Sequence, residues 1–157
     1  MEKIRVKIKK LRDNAVIPEY KTPGSAACDL VSCGDVVIPR RGRAMVPTGI
    51  SVECRGAAVL LFARSGLAVK QGIALANGVG VVDSDYRGEI MVGLINNTDA
   101  DYTVSAGDRV AQMMFVPVLT AEFEETDALS DTDRGEGGFG STGKNQETEK
   151  ETAAGGI

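Results

Sequence analysis

The sequence predicts an all-β domain, a sandwich or barrel of many short strands, followed by a polar C-terminal arm. Three observations carry this expectation. Strand-like stretches recur about every ten residues, turn-forming clusters separate them, and only one short segment has helical character. That segment, "SGLAVKQG" (65–72), is bounded by glycines. It leaves no crossover helices from which a doubly wound parallel sheet could be built.

Taken in order, the expected strands are "IRVKIKKL" (4–11), "DVVI" (35–38), "RAMV" (43–46), "ISVEC" (50–54), "AAVLLFA" (57–63), "GEIMVGLINN" (88–97), "DYTV" (101–104) and "RVAQMMFVPV" (109–118). Each has period-two alternation or a β-rich composition. Between them lie "PEYKTPGSAA", "CGD", "PRRG", "PTG", "DSDYRG", "NNTDAD" and "SAGD", clusters of Gly, Pro, Asn, Asp and Ser that favour turns. From about residue 126 the composition turns to Gly, Ser, Thr and charge with scattered apolar residues. The expected organisation is a β domain over 1–125, an arm over 126–143 that orders on binding, and a disordered tail over 144–157.

Composition bounds the function. At 157 residues, 43% hydrophobic and 4% aromatic, the chain is a single globular domain with a tail. Its formal net charge of −4 gives no general affinity for nucleic acid. The longest apolar run, 57–63, is far too short to span a membrane, and the charged alternation of "MEKIRVKIKK" is unlike a signal peptide, so a cytoplasmic location is expected. Cys28, Cys33 and Cys54 are odd in number and lack C-x-x-C spacing, which points to reduced thiols. The chain contains no histidine, and every catalytic scheme that needs an imidazole is thereby excluded.

The segment "DRGEGGFGSTGKN" (133–145) fits two phosphate-binding templates formally. Gly135, Gly137 and Gly140 match G-x-G-x-x-G; Gly138, Gly143 and Lys144 match G-x-x-x-x-G-K, with Asn145 where Ser or Thr belongs. Both templates need a preceding apolar strand and a following helix, and neither is present here. A glycine-rich backbone with Arg134, Ser141 and Thr142 can still wrap a polyphosphate, and it equally fits a flexible linker.

Four more stretches carry polar groups in chemically suggestive settings. "VVDSDYRGEI" (81–90) places Asp83 and Asp85 in a turn beside Tyr86, fit either for a carboxylate in a cleft or for a solvated hairpin. "ARSGLA" (63–68) presents the Ser65 and Gly66 amides and Arg64 to an anion, or is an ordinary cap. "SAGDRVAQM" (105–113) offers an Asp108–Arg109 local pair and a Gln112 that needs partners if buried. "GSAACDL" (24–30) delivers Asp29, for a metal's water shell or for a turn.

In this order and at these separations, "GSAACDL", "ARSGLA", "NGVGVVDSDYRGEI" (77–90), "GDRVAQM" (107–113) and "RGEGGFGSTG" (134–143) resemble the five motifs of the trimeric dUTPases. The resemblance spans about residues 4–143. It implies a jelly-roll-like, distorted β-barrel (the β-clip) assembled as a homotrimer, with active sites at subunit interfaces closed by the C-terminal arm. It implies hydrolysis of dUTP to dUMP and pyrophosphate with Mg2+, supplying dUMP for thymidylate synthesis and limiting uracil in DNA.

Residue by residue, the resemblance makes Asp83 the general base for the water that attacks the α-phosphorus. Tyr86 would pack on the deoxyribose and reject a 2′-hydroxyl; Asn77, Val81 and Val82 would read uracil, with Met91 lining the site. Arg64, Ser65, Gly66 and Gln112 would hold phosphates, and Asp29 would act on Mg2+ through water. From the arm, Phe139 would stack over uracil while Arg134, Ser141 and Thr142 close on the β- and γ-phosphates. Ala63 and Ala27 stand where many members have Pro and Gly. The runner-up reading is a dCTP deaminase-like or regulatory member of the same fold. Deamination needs a carboxylate at the pyrimidine ring, and no Glu occurs within 77–86.

Overall fold

A computed structural model of the chain describes residues 3–138. It divides into one compact unit over Met1–Thr120 and a second over Ala121–Ile157. Within the described residues the first unit holds eleven strands: β1 (Lys7–Lys10), β2 (Cys28–Val31), β3 (Val36–Ile38), β4 (Arg43–Pro47), β5 (Ile50–Glu53), β6 (Ala57–Ala63), β7 (Ile73–Leu75), β8 (Gly80–Val82), β9 (Met91–Asn96), β10 (Tyr102–Val104) and β11 (Arg109–Pro117). They form a four-stranded sheet β2-β11-β6-β8, a three-stranded sheet β4-β9-β7, and the ribbons β1-β5 and β3-β10, all antiparallel.

The core follows from period-two alternation. In β6 Val59 and Leu61 point inward, in β9 Val92 and Leu94, and on β11 Met113 lies directly opposite Leu61. Val46 of β4 faces Val92 and completes the packing between these elements. Branched aliphatic residues dominate, as expected for side chains that pack against a pleated surface.

Three strands lie in segments that alternation alone does not mark: β2, β7 and β8. β2 directly follows the turn-forming "PEYKTPGSAA", β7 lies between Gly72 and the Asn77–Gly78 turn, and β8 opens on the turn-like "NGVG". The helical candidate reduces to a single π-helical turn, Gly66–Lys70, whose Leu67 packs on the core. The segment 77–83 is not a paired hairpin. β7 belongs to the three-stranded sheet and β8 to the four-stranded one, so the turn at Asn77–Gly78 carries the chain between sheets.

Polar groups in this interior are fully engaged. Asn96, with no exposed surface, donates to the Ile38 and Ala100 carbonyls at 3.1 and 2.8 Å and accepts from the Thr98 amide and hydroxyl at 2.9 and 2.8 Å. It thereby stitches β3, β9 and the turn before β10 together. Gly49, between β4 and β5, adopts φ +69°, where an added Cβ would lie 2.8 Å from that of Ala15. Only glycine fits both the left-handed backbone and that space.

In the second unit, a turn at 133–136 is closed by Gly135 N–H to Thr132 O at 3.0 Å and Gly137 N–H to Arg134 O at 3.0 Å. Phe123 and Leu129 are almost wholly exposed there.

The three cysteines are free and buried. Burial pushes the Cys28 thiol above the ordinary thiol range; a backbone hydrogen bond opposes the rise and the adjacent Asp29 charge adds to it. Burial raises Cys54 as well, against the pull of Arg87. A raised folded-state value favours the protonated thiol, so its contribution to stability is present below the unfolded value and lost as pH climbs through the folded one. At pH 8 a disulfide reagent should label native Cys28 and Cys54 far more slowly than the same residues in guanidinium; equal rates would contradict this burial. Asn96→Ala, which strands buried partners, should lower stability by about 2–4 kcal/mol in thermal or urea unfolding.

Candidate active site

The polar centre of the four-stranded sheet is Asp29 in β2. Its position follows from register: Asp29 lies opposite Gln112 of β11, and Gln112 lies opposite Phe62 of β6, so all three side chains share one face. The Asp29 carboxylate is buried and compensated by two guanidiniums, with Arg109 Nη1 at 3.0 Å from Oδ2 and Arg64 Nε at 3.4 Å from Oδ1. Arg64 Nη1 also donates to the Arg109 carbonyl at 2.8 Å, locking the two arginines to each other.

Arg109 reaches this face because β11 slips register. Ala111 pairs with Leu30, yet Arg109 pairs with Val31, leaving Val110 as an extra residue. The bulge turns Val110 into the core, where it is buried, and carries Arg109 to the side of Asp29 and Gln112. In an unbroken strand, alternation from Gln112 would send Arg109 to the opposite face. The local pairing with Asp108 does not form; the Asp108 carboxylate instead accepts the Ser105 amide at 2.8 Å.

A cavity of about 320 Å3 opens beside Asp29 and Gln112, walled by Lys21, Ser25, Phe62 and Met114. A second of about 260 Å3 is lined by Arg64, Leu67, Tyr102, Asp108 and Arg109. Ser65 and Gly66, at the start of the π-helical turn, are exposed, and the Ser65 hydroxyl makes no capping hydrogen bond. Gln112 is half-buried rather than buried.

The uracil-side candidates form a second group on and after β8. Asn77 is exposed, with its carbonyl accepting the Val79 amide at 2.8 Å. Val81 is 64% exposed and Val82 half-buried. Asp83 follows β8 in the exposed loop 83–87, where its carbonyl accepts the Tyr86 amide at 3.1 Å. Tyr86 folds back so that its hydroxyl donates to the Glu89 carbonyl at 3.1 Å. Met91, the first residue of β9, is partly exposed opposite Pro47.

This loop stands on a rigid seat. The Thr48 hydroxyl donates to the Ile90 carbonyl at 2.5 Å, the Gly49 amide to Glu89 Oε1 at 2.8 Å, and the Ser51 hydroxyl to the Arg87 carbonyl at 3.0 Å. Arg12 meets the other Glu89 oxygen at 3.5 Å.

The structure does not bring the two groups together within one chain. Val82 is opposite Val59 near the start of β6, whereas Arg64 follows its last residue, Ala63. Asp83 and Arg64 therefore sit at opposite ends of that strand, roughly 20 Å apart at about 3.3 Å per residue. Arg134 belongs to the second unit, where its Nε donates to the Gly137 carbonyl at 2.8 Å. Phe139, Ser141 and Thr142 lie outside the described residues. Arg109 is the partner of Asp29 that the sequence did not mark; its only signal was position in "GDRVAQM", and the bulge that aims it has no local signature.

Among the described residues no three His, Cys, Asp or Glu side chains come together to hold a metal. Asp29 already has a guanidinium on each oxygen, so the donor set does not form a protein-only cation site.

Strand order and register define the chain as an all-β protein of the β-clip barrel type. The dUTPase family model matches residues 13–143. A deoxyuridine 5′-triphosphate nucleotidohydrolase of Desulfitobacterium hafniense is 49% identical over 149 residues, covering 91% of this chain and 99% of that protein. The rice protein of the same name is 48% identical, over 88% of this chain and 80% of its own length. Among solved structures, the Staphylococcus bacteriophage 80alpha dUTPase with dUPNHPP superposes with a TM-score of 0.84 at 27% identity, covering 89% of this chain and 99% of that one. The chain belongs to the dUTPase family.

Arg109→Met leaves one oxygen of a buried carboxylate without its cation. The substitution should cost about 1–3 kcal/mol, read as a thermal midpoint lower by roughly 2–4 °C per kcal/mol. An unchanged midpoint would show that Arg64 alone suffices.

Proposed function

We propose that this chain hydrolyses dUTP to dUMP and pyrophosphate by water attack on the α-phosphorus. The observation that carries the reading is the family match across 13–143, which contains the whole stretch bearing the phosphate, uracil and arm motifs. The deamination reading has no comparable support, since no Glu lies within 77–86 to serve the pyrimidine ring.

Asp83 is the base that orients the water and takes its proton. Its exposure in the single chain suits a group that is enclosed only when a second surface closes over it. Tyr86 presents its ring to the sugar, Asn77, Val81 and Val82 read the uracil edge, and Met91 lines the pocket. Reading a ring by its hydrogen-bonding edge discriminates strongly, because a wrong base leaves buried polar groups unpaired. Arg64, Ser65, Gly66 and Gln112 hold the phosphates.

The roughly 20 Å between the Asp83 and Arg64 ends of β6 supports a site shared between chains. In a homotrimer the Asp83 loop of one subunit meets the arginine end of another, and the arm over 126–143, with Arg134, Phe139, Ser141 and Thr142, closes the nucleotide in. Exposed Val81 and Met91 become interface or pocket lining in that assembly.

Mg2+ would be held mainly by the triphosphate rather than by protein side chains. Asp29 would act on the ion through its waters, beside the Arg64 guanidinium that would hold the phosphates. When bound, the ion neutralises charge on the phosphate chain. The enzyme acts in the cytoplasm; among the described residues no helix is long and apolar enough to cross a membrane.

Pyrophosphate release from dUTP, UTP, dCTP and dTTP, with and without Mg2+, tests the reading: dUTP alone should be turned over efficiently, and conversion of dCTP would overturn it. Asp83→Asn should lower turnover by roughly 10²–10⁴-fold while dUTP still binds; near-normal turnover removes Asp83 as the base. Removal of 134–157 should leave a folded trimer with little activity.

A further inference from the structure

Gly88 follows the Tyr86 loop and is assigned no part in binding or catalysis. Its backbone is outside the left-handed region, so conformation does not demand glycine there. Space does: a Cβ built on Gly88 would fall well inside van der Waals distance of the Tyr86 Oη and Cζ and 3.0 Å from Cε2. The tyrosine ring lies directly on the bare Cα, with its hydroxyl continuing to the Glu89 carbonyl at 3.1 Å.

The backbone on either side of Gly88 cannot yield to a larger residue. Ser51 holds the Arg87 carbonyl, the Gly49 amide holds the Glu89 carboxylate, Thr48 holds the Ile90 carbonyl, and the Ile90 amide donates to Ile50 O at 2.9 Å. Tyr86 is 47% exposed and has open space on its outer side. An added methyl would therefore move the ring rather than the chain. We propose that Gly88 is a positioning residue for substrate selection, the platform that sets the tilt of the Tyr86 ring and thereby the room left at the 2′ position of the sugar.

The inference rests on the reading of Tyr86 as the sugar-facing residue. It is tested by measuring kcat/KM for dUTP and UTP in the full-length protein, in Gly88→Ala, in Tyr86→Ala and in the double variant. Gly88→Ala should fold with a thermal midpoint near that of the parent and lose selectivity for dUTP over UTP by roughly tenfold, the scale on which one methyl group alters a pocket. In the Tyr86→Ala background the same change should alter selectivity less than about twofold, because the ring it displaces is gone. A crystal structure of Gly88→Ala should show the ring rotated off residue 88 with the 87–90 backbone in place. Unaltered selectivity in Gly88→Ala, an equal loss in both backgrounds, or a Gly88→Ala protein that does not fold would each overturn the assignment. A parent enzyme with no preference for dUTP over UTP would instead remove the functional reading, and this inference with it.

Discussion

A buried carboxylate has to be surrounded by cations or donors, and the architecture of this chain around Asp29 follows from that requirement. The acid is carried on a short strand in the polar face of the main sheet, and two arginines from different strand ends converge on it. Desolvation of the carboxylate is offset only if both guanidiniums arrive with good geometry. Arg64 is placed by the end of β6 and braced by the Arg109 carbonyl. Arg109 is placed by a bulge in β11, the strand bonded to both β2 and β6. One extra residue in that strand thus decides whether the face that bears Gln112 carries a second arginine or a valine.

The same sheet keeps the Arg64 end of β6 and the Asp83 loop apart. A rigid strand cannot bend its ends together, and this separation is what supports the proposed sharing of the site between chains. The Asp83 loop, although exposed, is held on a bed of hydrogen bonds from the β4–β5 turn, with Thr48, Gly49 and Ser51 each gripping the segment that follows. Exposed functional groups on a clamped backbone are what a protein needs when the rest of the pocket comes from elsewhere, because the fit must be ready before the partner arrives. Asn96 does the equivalent work at the far end of the β4–β9 pair, where four hydrogen bonds hold a turn.

Much of this was legible in the residues. Alternation located eight of the eleven strands, since stretches such as "AAVLLFA" and "RVAQMMFVPV" have enough residues for a period to appear. The three missed strands adjoin turn-forming residues that mask them and exist because neighbours supply their hydrogen bonds. The absence of histidine narrowed the chemistry before any fold was known. Motif order, rather than any motif alone, pointed to the dUTPase family. Asp108 and Arg109 are adjacent and of opposite charge, so a local pair was the natural reading; the stronger claim of a buried carboxylate eighty residues away is invisible along the chain.

By itself the sequence determined the all-β class, the strand rhythm, the family and the residue types available for catalysis, because these depend on local period, composition and motif spacing. Only the tertiary structure decided which side chains meet. The facing of Arg109 depends on a register slip between β2 and β11, the assignment of β7 and β8 to different sheets on long-range pairing, and the lie of Tyr86 on Gly88 on a backbone fixed by residues some forty positions earlier. Register and steric fit arise between segments distant in sequence, and no local pattern encodes them.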